Sequence, residues 1–387
     1  MTPGARVAAA IEILDMIGDG QAAEQVLTRW GRNNRFAGSK DRAAIRDYVF
    51  DVLRIRRSAA WLGRAATGRG LMIGLLRSHG IDPASLFTGE GHAPASLQDY
   101  EMALPEGDVP IEDSWNLPDW LVERFAEGLG DAAQEAAIAL QGRAPVTLRV
   151  NISKTNASAA ILMLKEAGIE GVENPLAPHA LTVVNGARKI RNAAAYLEGF
   201  VELQDASSLA VVDAVPRYVR VLDYCAGGGG KALAIAARGA SAVFVHDIDP
   251  GRMRDLPLRA ARADAEITQL GGGDLARSGP YDVVLVDAPC SGSGSWRRAP
   301  EAKWRLRPED LAETVALQDR ILDEASTLVA KGGTLAYATC SILPEENRAR
   351  VDAFVQRHPE WTCRWDRSFA VTEWGDGFYT AHLTVGE

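Results

Sequence analysis

Cysteine is scarce in this chain: four residues in 387, at Cys225, Cys290, Cys340 and Cys363, with no CxxC pair. That excludes a disulfide-stapled scaffold and argues against a zinc knuckle. No uninterrupted apolar run approaches the ~20 residues that a membrane-spanning helix needs. The N-terminus, MTPGARVAAAIEILDMIGDG, carries Glu12 and Asp15 within its apolar run. It reads as an amphipathic helix and not a secretion signal, so a cytoplasmic location is expected. Internal repeats and low-complexity tracts are also missing.

Charge is present in abundance but unevenly placed. The net charge of −9 argues against a nucleic-acid binder only if the sum is what matters. Residues 1–80 hold 13 Lys/Arg against 7 Asp/Glu, a net of +6. Residues 81–145 hold 2 against 13, a net of −11. The first 80 residues have helix-period apolar spacing, with Ala10, Ile13, Leu14 and Ile17 on one face and Ile45, Val49, Val52 and Leu53 on another. Ser39 and Asp41 are candidate cap residues for the second helix. Residues 88–118, rich in Gly, Pro and acids, read as a linker, followed by a helical piece over about 118–140.

The periodicity then changes. Strands are expected at 146–151, 181–184 and from 199, with a helix over 157–167 closed by Gly168, which makes a small α+β module. From Val219 the pattern is strand, Gly loop and helix, repeated. The strands are RVLDYCA, AVFVHDI, EITQL, YDVVLVDA and TLAYATCS, with helices near 231–238, 251–263, 308–330 and 344–357. Such alternation implies a parallel, doubly wound sheet, with a late edge strand near 378–385.

The stretch DYCAGGGGK, 223–231, follows a strand and opens a helix. Its glycines bring backbone amides close to a ligand, and Cys225, Ala226, Gly227, Gly228, Gly229, Gly230 and Lys231 form the candidate cofactor loop. It lacks the GxGxxG spacing of a dinucleotide site. It is not a P-loop either, because Ala232 follows Lys231. Asp247, ending the second strand, is placed to bind ribose hydroxyls, and Asp274 to meet an adenine edge. Asp249 reads as a helix cap before Pro250. The set suits S-adenosylmethionine better than NAD.

DAPCSGSG (287–294) and TCS (339–341) end neighbouring strands, where such sheets bind ligands. A lone cysteine is usually a small buried hydrophobe. Two on adjacent strand ends suggest chemistry. Carbon 5 of cytosine is a poor nucleophile. A thiolate adding at C6 turns the ring into an enamine-like nucleophile at C5, an acid can hydrogen-bond N3, and a second thiol can assist the later elimination. Cys225 and Cys363 keep a structural reading.

These segments, DYCAGGGGK, DAPCSGSGSWRRAPEAKW and YATCSILPEEN, with LRVN at 148–151 and QDASS at 204–208, resemble the RsmB/NOP2/NSUN family of RNA 5-methylcytosine methyltransferases. SKDRAAIRDYVFDVLR in the first 80 residues resembles the NusB-like domain of the bacterial RsmB branch. The resemblance implies an α/β fold: a Rossmann-like S-adenosylmethionine methyltransferase domain (209–387), a small α+β RNA-binding module (144–208), an acidic linker and helical segment (86–143), and an all-α NusB-like domain (1–85). It implies Cys340 as nucleophile, Cys290 for product release, Asp287 for contacts to the target base and at the cofactor, and Lys231 at the shared pocket. RNA is the implied partner, 16S ribosomal RNA before transfer RNA, with no membrane and no obligate protein partner. Where the family has Ala-Pro in its loop this chain has Gly227-Gly228, and Ala232 replaces Thr or Ser. Glycine frees the backbone that proline would fix.

The segment 295–307 mixes cations with Trp296 and Trp304. Trp304 reads as core, and Arg297, Arg298 and Lys303 as RNA-facing. Two other readings compete. An exocyclic-amine methyltransferase would need Asp/Asn-Pro-Pro-aromatic where this chain has Asp-Ala-Pro-Cys. A lapsed, non-enzymatic RNA-binding factor has only the altered loop in its favour.

Overall fold

The computed structural model describes residues 1–216 and 219–385. The chain divides into two compact units, Met1–Arg143 with Trp296–Arg305, and Ala144–Ser295 with Leu306–Glu387.

The first unit is helical. Its main helices are Pro3–Gly18, Ala23–Asn33, Ser39–Arg54, Arg56–Gly63, Gly68–Ser78 and Asp119–Leu129. The predicted apolar faces form its core: Ala10, Ile13, Leu14, Ile45, Val49, Val52 and Leu53 are all buried. Gly38, not Ser39, is the cap of the third of these helices. The Asp41 carboxylate closes that cap from inside, accepting the Gly38 N–H at 3.2 Å. The acidic stretch is tied to the basic helices: Arg57 Nε meets Asp113 at 2.5 Å, Arg57 also pairs with Asp119, and Arg69 Nε meets Glu101 at 2.7 Å. The opposite charges of 1–80 and 81–145 thus partly neutralise one another within the unit.

Residues 296–305 correct the expectation of an RNA-facing segment. Trp296 is 1% exposed and stacks on Phe125 at 6.1 Å, which anchors the segment in the helical unit. Arg297 and Lys303 are carried inside with it, and of the three cations only Arg298 is exposed. Lys303 Nζ donates to the Arg54 carbonyl at 3.0 Å, and the indole N–H of the half-buried Trp304 donates to the Leu53 carbonyl at 2.7 Å. Both carbonyls lie in the last turn of Ser39–Arg54, where helices leave acceptors unsatisfied. Cations and aromatics side by side suit an RNA surface, but they serve equally to cap a helix and fill a core.

The second unit holds two sheets. Strands β1 (Val146–Val150), β2 (Glu170–Glu173), β3 (Ala180–Asn185) and β4 (Val201–Leu203) form an antiparallel sheet in the order β2-β3-β1-β4. Asn151 of the LRVN stretch donates to the Gly199 carbonyl at 3.1 Å and to the Ala263 carbonyl at 2.9 Å, which joins this sheet to the helix Leu256–Ala263. Asp205 of QDASS caps the helix Ala206–Ala214 and also accepts from the Asp376 amide. The larger sheet contains β5 (Arg220–Asp223), β6 (Ala242–Val245), β7 (Ile267–Gln269), β8 (Tyr281–Asp287), β9 (Val329–Thr339), β10 (Trp361–Phe369) and β11 (Phe378–Val385). Its order is β10-β11-β9-β8-β5-β6-β7, parallel throughout except for β11, which runs antiparallel to both of its neighbours. The chain builds outward from β5 through β6 and β7, then crosses to β8 and β9. The switch point therefore lies between β5 and β8, and ligands bind at the carboxyl ends beside such a point. Two strands go unpredicted, β2 and β10. Both are edge strands that are largely exposed and lack a regular apolar alternation.

Burial pushes the Lys303 ammonium down to about 7, and Arg54 adds to the effect. In the unfolded chain a lysine titrates near ~10.4, so between about pH 7 and pH 10 the unfolded state holds a proton that the folded state has released. Stability then rises with pH across that window, the penalty being complete below it. We expect the urea midpoint of the wild type to climb relative to Lys303→Met from pH 7 to 9.5. A constant difference between the two proteins would show that Lys303 titrates as an ordinary lysine.

Candidate active site

The structure brings Cys340, Cys290, Lys231 and Asp287 together. Asp287 ends β8 and Cys340 directly follows β9, its parallel neighbour. The Cys290 and Cys340 sulfurs are 3.4 Å apart. Lys231, at the start of the helix Gly230–Ala237, reaches Asp287 at 2.7 Å and lies over the Phe378 ring. Burial alone would push this ammonium down, but Asp287 more than offsets it, so the net shift is upward and Lys231 stays charged.

The two thiols share one hydrogen bond and are not equivalent. The bond from Cys290 holds Cys340 below the ordinary thiol range, against burial and the charge of Asp287, with help from Lys231 and Ser295. Cys290 moves the other way, well above the ordinary range, raised by the same bond, by burial and by Glu346. These directions make Cys340 the more acidic thiol of the pair. Cys225 is driven upward by burial and by Asp223, so it stays protonated, and Cys363 is raised by burial on an edge strand.

Glu346 organises both cysteine loops. Its buried carboxylate accepts from the Ser291 amide at 2.7 Å, the Ser291 hydroxyl, the Ser341 hydroxyl at 2.5 Å and the Gln318 amide at 3.2 Å. Ser291 follows Cys290 and Ser341 follows Cys340, so one carboxylate fixes the residue beside each sulfur. Asn347 adds to this by donating to the Ser341 carbonyl and accepting from Thr339. Gly294 meets Gly377 backbone to backbone: a Cβ at Gly294 would lie 2.0 Å from the Gly377 carbonyl oxygen. The glycine of DAPCSGSG is a packing requirement.

The glycine loop turns at Gly229 with φ +76°, and a Cβ there would meet Leu256 at 2.3 Å. Asp247 is 3% exposed and accepts from the Gly227 amide at 2.9 Å and from Arg252 at 3.0 Å. Arg259 donates to the Gly228 carbonyl. Asp249 caps the turn after Pro250, accepting from Gly251 as expected. Asp274 stands half-exposed beyond β7 and pairs with Arg277. Beneath the loop, Asp223 ends β5 with both carboxylate oxygens buried and neither making a hydrogen bond of good geometry. Burial, reinforced by the charge of Asp287, pushes its carboxyl up to about 7.

A profile of the 16S rRNA methyltransferase RsmB/F matches residues 213–383, and one of the RsmF/B ferredoxin-like domain matches 117–189. Ribosomal RNA small subunit methyltransferase B of Klebsiella pneumoniae is 32% identical, over 98% of this chain and 97% of its own. The chain belongs to the RsmB/F methyltransferase family. The same-named protein of Yersinia pestis is 29% identical over 98% of each chain. Among solved structures, PH0851 superposes with a TM-score of 0.74 at 22% identity, over 99% of each chain. NSun6 from Pyrococcus horikoshii gives 0.61 at 16% identity, over 70% of this chain and 98% of its own. As a member of the RsmB/F family the protein is an RNA methyltransferase, and its cofactor is S-adenosylmethionine. The residues present fit that cofactor: a cradle of close-approach glycines and an orphaned buried carboxylate, Asp223, suit a ligand with cationic groups.

Sequence reasoning missed Glu346, Asp223 and Ser291. Each stood inside a quoted motif, but a carboxylate that accepts hydrogen bonds from distant loops has no local spacing to reveal it. Glu346→Gln would set an amide donor against a cluster of donors. Leaving a buried partner unsatisfied costs about 1–3 kcal/mol. We expect a loss of unfolding free energy of that size, read as a lower urea midpoint, and slower iodoacetamide capture of Cys340. Unchanged values for both would show that Glu346 does not hold the loops.

Proposed function

We propose that the protein methylates carbon 5 of a cytosine in 16S ribosomal RNA, in the cytoplasm, through a covalent bond between Cys340 and C6 of the base. The observation that carries this reading is the 3.4 Å pair of unequal thiols beside the Lys231–Asp287 ion pair. The names of the relatives point to 16S RNA.

The target base must leave its stack to reach the sulfur. Cys340 Sγ bonds to C6, and the electrons of the C5–C6 double bond move to C5. Asp287 and Lys231 meet the N3 and 4-amino edge, where negative charge develops. S-adenosylmethionine, when bound, supplies an electrophilic methyl group. Asp247 would hold its ribose, Asp274 its adenine edge, Asp223 a cationic part of its methionine moiety, and the backbone of Cys225 to Gly230 would line the cradle. Once C5 carries the methyl group, loss of its proton to water re-forms the C5–C6 double bond, breaks the C6–S bond and expels the Cys340 thiolate. The Cys290 S–H stands ready to hydrogen-bond that thiolate as it leaves.

Cys340→Ala should reduce methyl transfer to 16S RNA to background, on the order of 10⁴-fold or more. Cys290→Ala should accumulate an RNA–protein adduct that survives denaturing gels. Retained turnover in the first variant, or normal turnover without adduct in the second, would sink these roles. Bisulfite sequencing of RNA from a strain lacking the gene should show one 16S cytosine losing its mark; a loss in transfer RNA instead would reassign the substrate. Lys231→Met removes the cation facing Cys340, so the apparent pKa for alkylation of Cys340 should rise above its wild-type value. An unmoved profile would remove Lys231 from thiolate stabilisation.

A further inference from the structure

The cations expected near the cysteine loop are largely buried, which raises the question of where unneutralised positive charge lies. Within the helical unit, Arg32, Arg35, Lys40 and Arg42 are all exposed, and none has a carboxylate within ion-pair distance among the described residues. They surround the turn between the helices Ala23–Asn33 and Ser39–Arg54. At the tip of that turn Phe36 is 74% exposed, although an aromatic ring gains by burial.

The turn is held rigid. Ala37 is buried, its amide donates to the Asn34 carbonyl at 3.0 Å, and Arg42 Nε donates to the Ala37 carbonyl at 2.9 Å. Phe36 is thereby presented outward. Two recesses lie beside the turn and share Trp30 as a wall, and Phe36 borders the larger of them. One, of about 630 Å³, has Phe36, Trp30, Ala5 and Ala9 in its lining together with Glu12 and Glu90. The other, of about 290 Å³, is bordered by Arg32, Arg42 and Arg46. An aromatic-walled recess with carboxylate acceptors suits a base carrying exocyclic amino groups, and an arginine-bordered cleft suits a phosphate.

We propose that this turn is a single-stranded RNA site, in which an unpaired base stacks on Phe36 in the larger recess and adjacent phosphates meet Arg32, Arg35, Lys40 and Arg42. It rests on the reading of RNA as substrate and adds a second place where that RNA is held.

The test uses the full chain, a labelled 20-nucleotide single-stranded RNA of mixed sequence, the corresponding duplex, and transcribed 16S RNA for turnover. Arg42 is left intact because it fixes the turn. Phe36→Ala should weaken single-strand binding about 5- to 160-fold, from the ~1–3 kcal/mol that stacking a base contributes. Its slope of log affinity against log salt should stay unchanged. The triple variant Arg32→Gln/Arg35→Gln/Lys40→Gln should lower that slope by about 2, at ~0.7 per phosphate contact. Both variants should raise KM for 16S RNA with kcat retained. Wild-type affinity and slope in both variants overturn the proposal, and so does duplex binding as tight as single-strand binding. If the wild type transfers no methyl group to any RNA, the assignment of the reaction fails instead, and the binding data still decide this site.

Discussion

Two sulfur atoms 3.4 Å apart can share a single proton, and what the site can do depends on which of them keeps it. Left to themselves the thiols would be equivalent. Lys231 and Ser295 face Cys340 and stabilise its anion, while the carboxylate of Glu346 faces Cys290 and opposes one there. Glu346 thus acts twice. It locates both loops through Ser291 and Ser341, and its charge adds to the shared bond and the burial that raise Cys290. A buried anion is costly unless it is satisfied. Here hydrogen bonds from three separate segments supply that satisfaction, so the charge survives only while the loops stay in register.

The charge layout follows a similar logic on a larger scale. The acidic stretch after residue 81 and the basic helices before it look, in the sequence, like a repelled linker beside a nucleic-acid surface. In the folded unit, Asp113, Asp119 and Glu101 are used on Arg57 and Arg69. Surface ion pairs of this kind contribute little each, about 0–1 kcal/mol. Their consequence is subtractive: they remove arginines from the pool that can meet RNA. Arg32, Arg35, Lys40 and Arg42, around the turn at Phe36, are among the cations left without an ion pair among the described residues.

Much of this was legible in the sequence. The parallel strands announced themselves by apolar runs ending in Gly loops, and the candidate site by two cysteines on neighbouring strand ends where cysteine is otherwise rare. The helices of the first unit followed their apolar faces. The edge strands β2 and β10 were missed because an exposed strand carries no alternation to read. The segment 296–305 was misread for a different reason. Arg297 and Lys303 sit beside tryptophans in both an RNA reader and a helix cap, and only the burial of Trp296 against Phe125 separates the two. Glu346 was invisible because Ser291 and Gln318 are far away in sequence, and Asp223 because burial beneath the loop leaves no local pattern.

The glycine-for-proline exchange in the cofactor loop takes on a physical meaning in the fold. Without the ring, the backbone at 227–228 has freedom that binding would have to remove. Arg259 restrains it by donating to the Gly228 carbonyl, and the same guanidinium lies 3.5 Å from Glu202 on β4 of the small sheet. Arg262, one helical turn on, pairs with the same carboxylate. Arg252 adds a second restraint through Asp247, whose carboxylate also grips the Gly227 amide. A loop that proline would fix from within is here fixed from outside, by cations anchored on neighbouring elements. Its shape therefore depends on the seating of the small antiparallel sheet, which makes that module part of the support of the candidate cofactor loop.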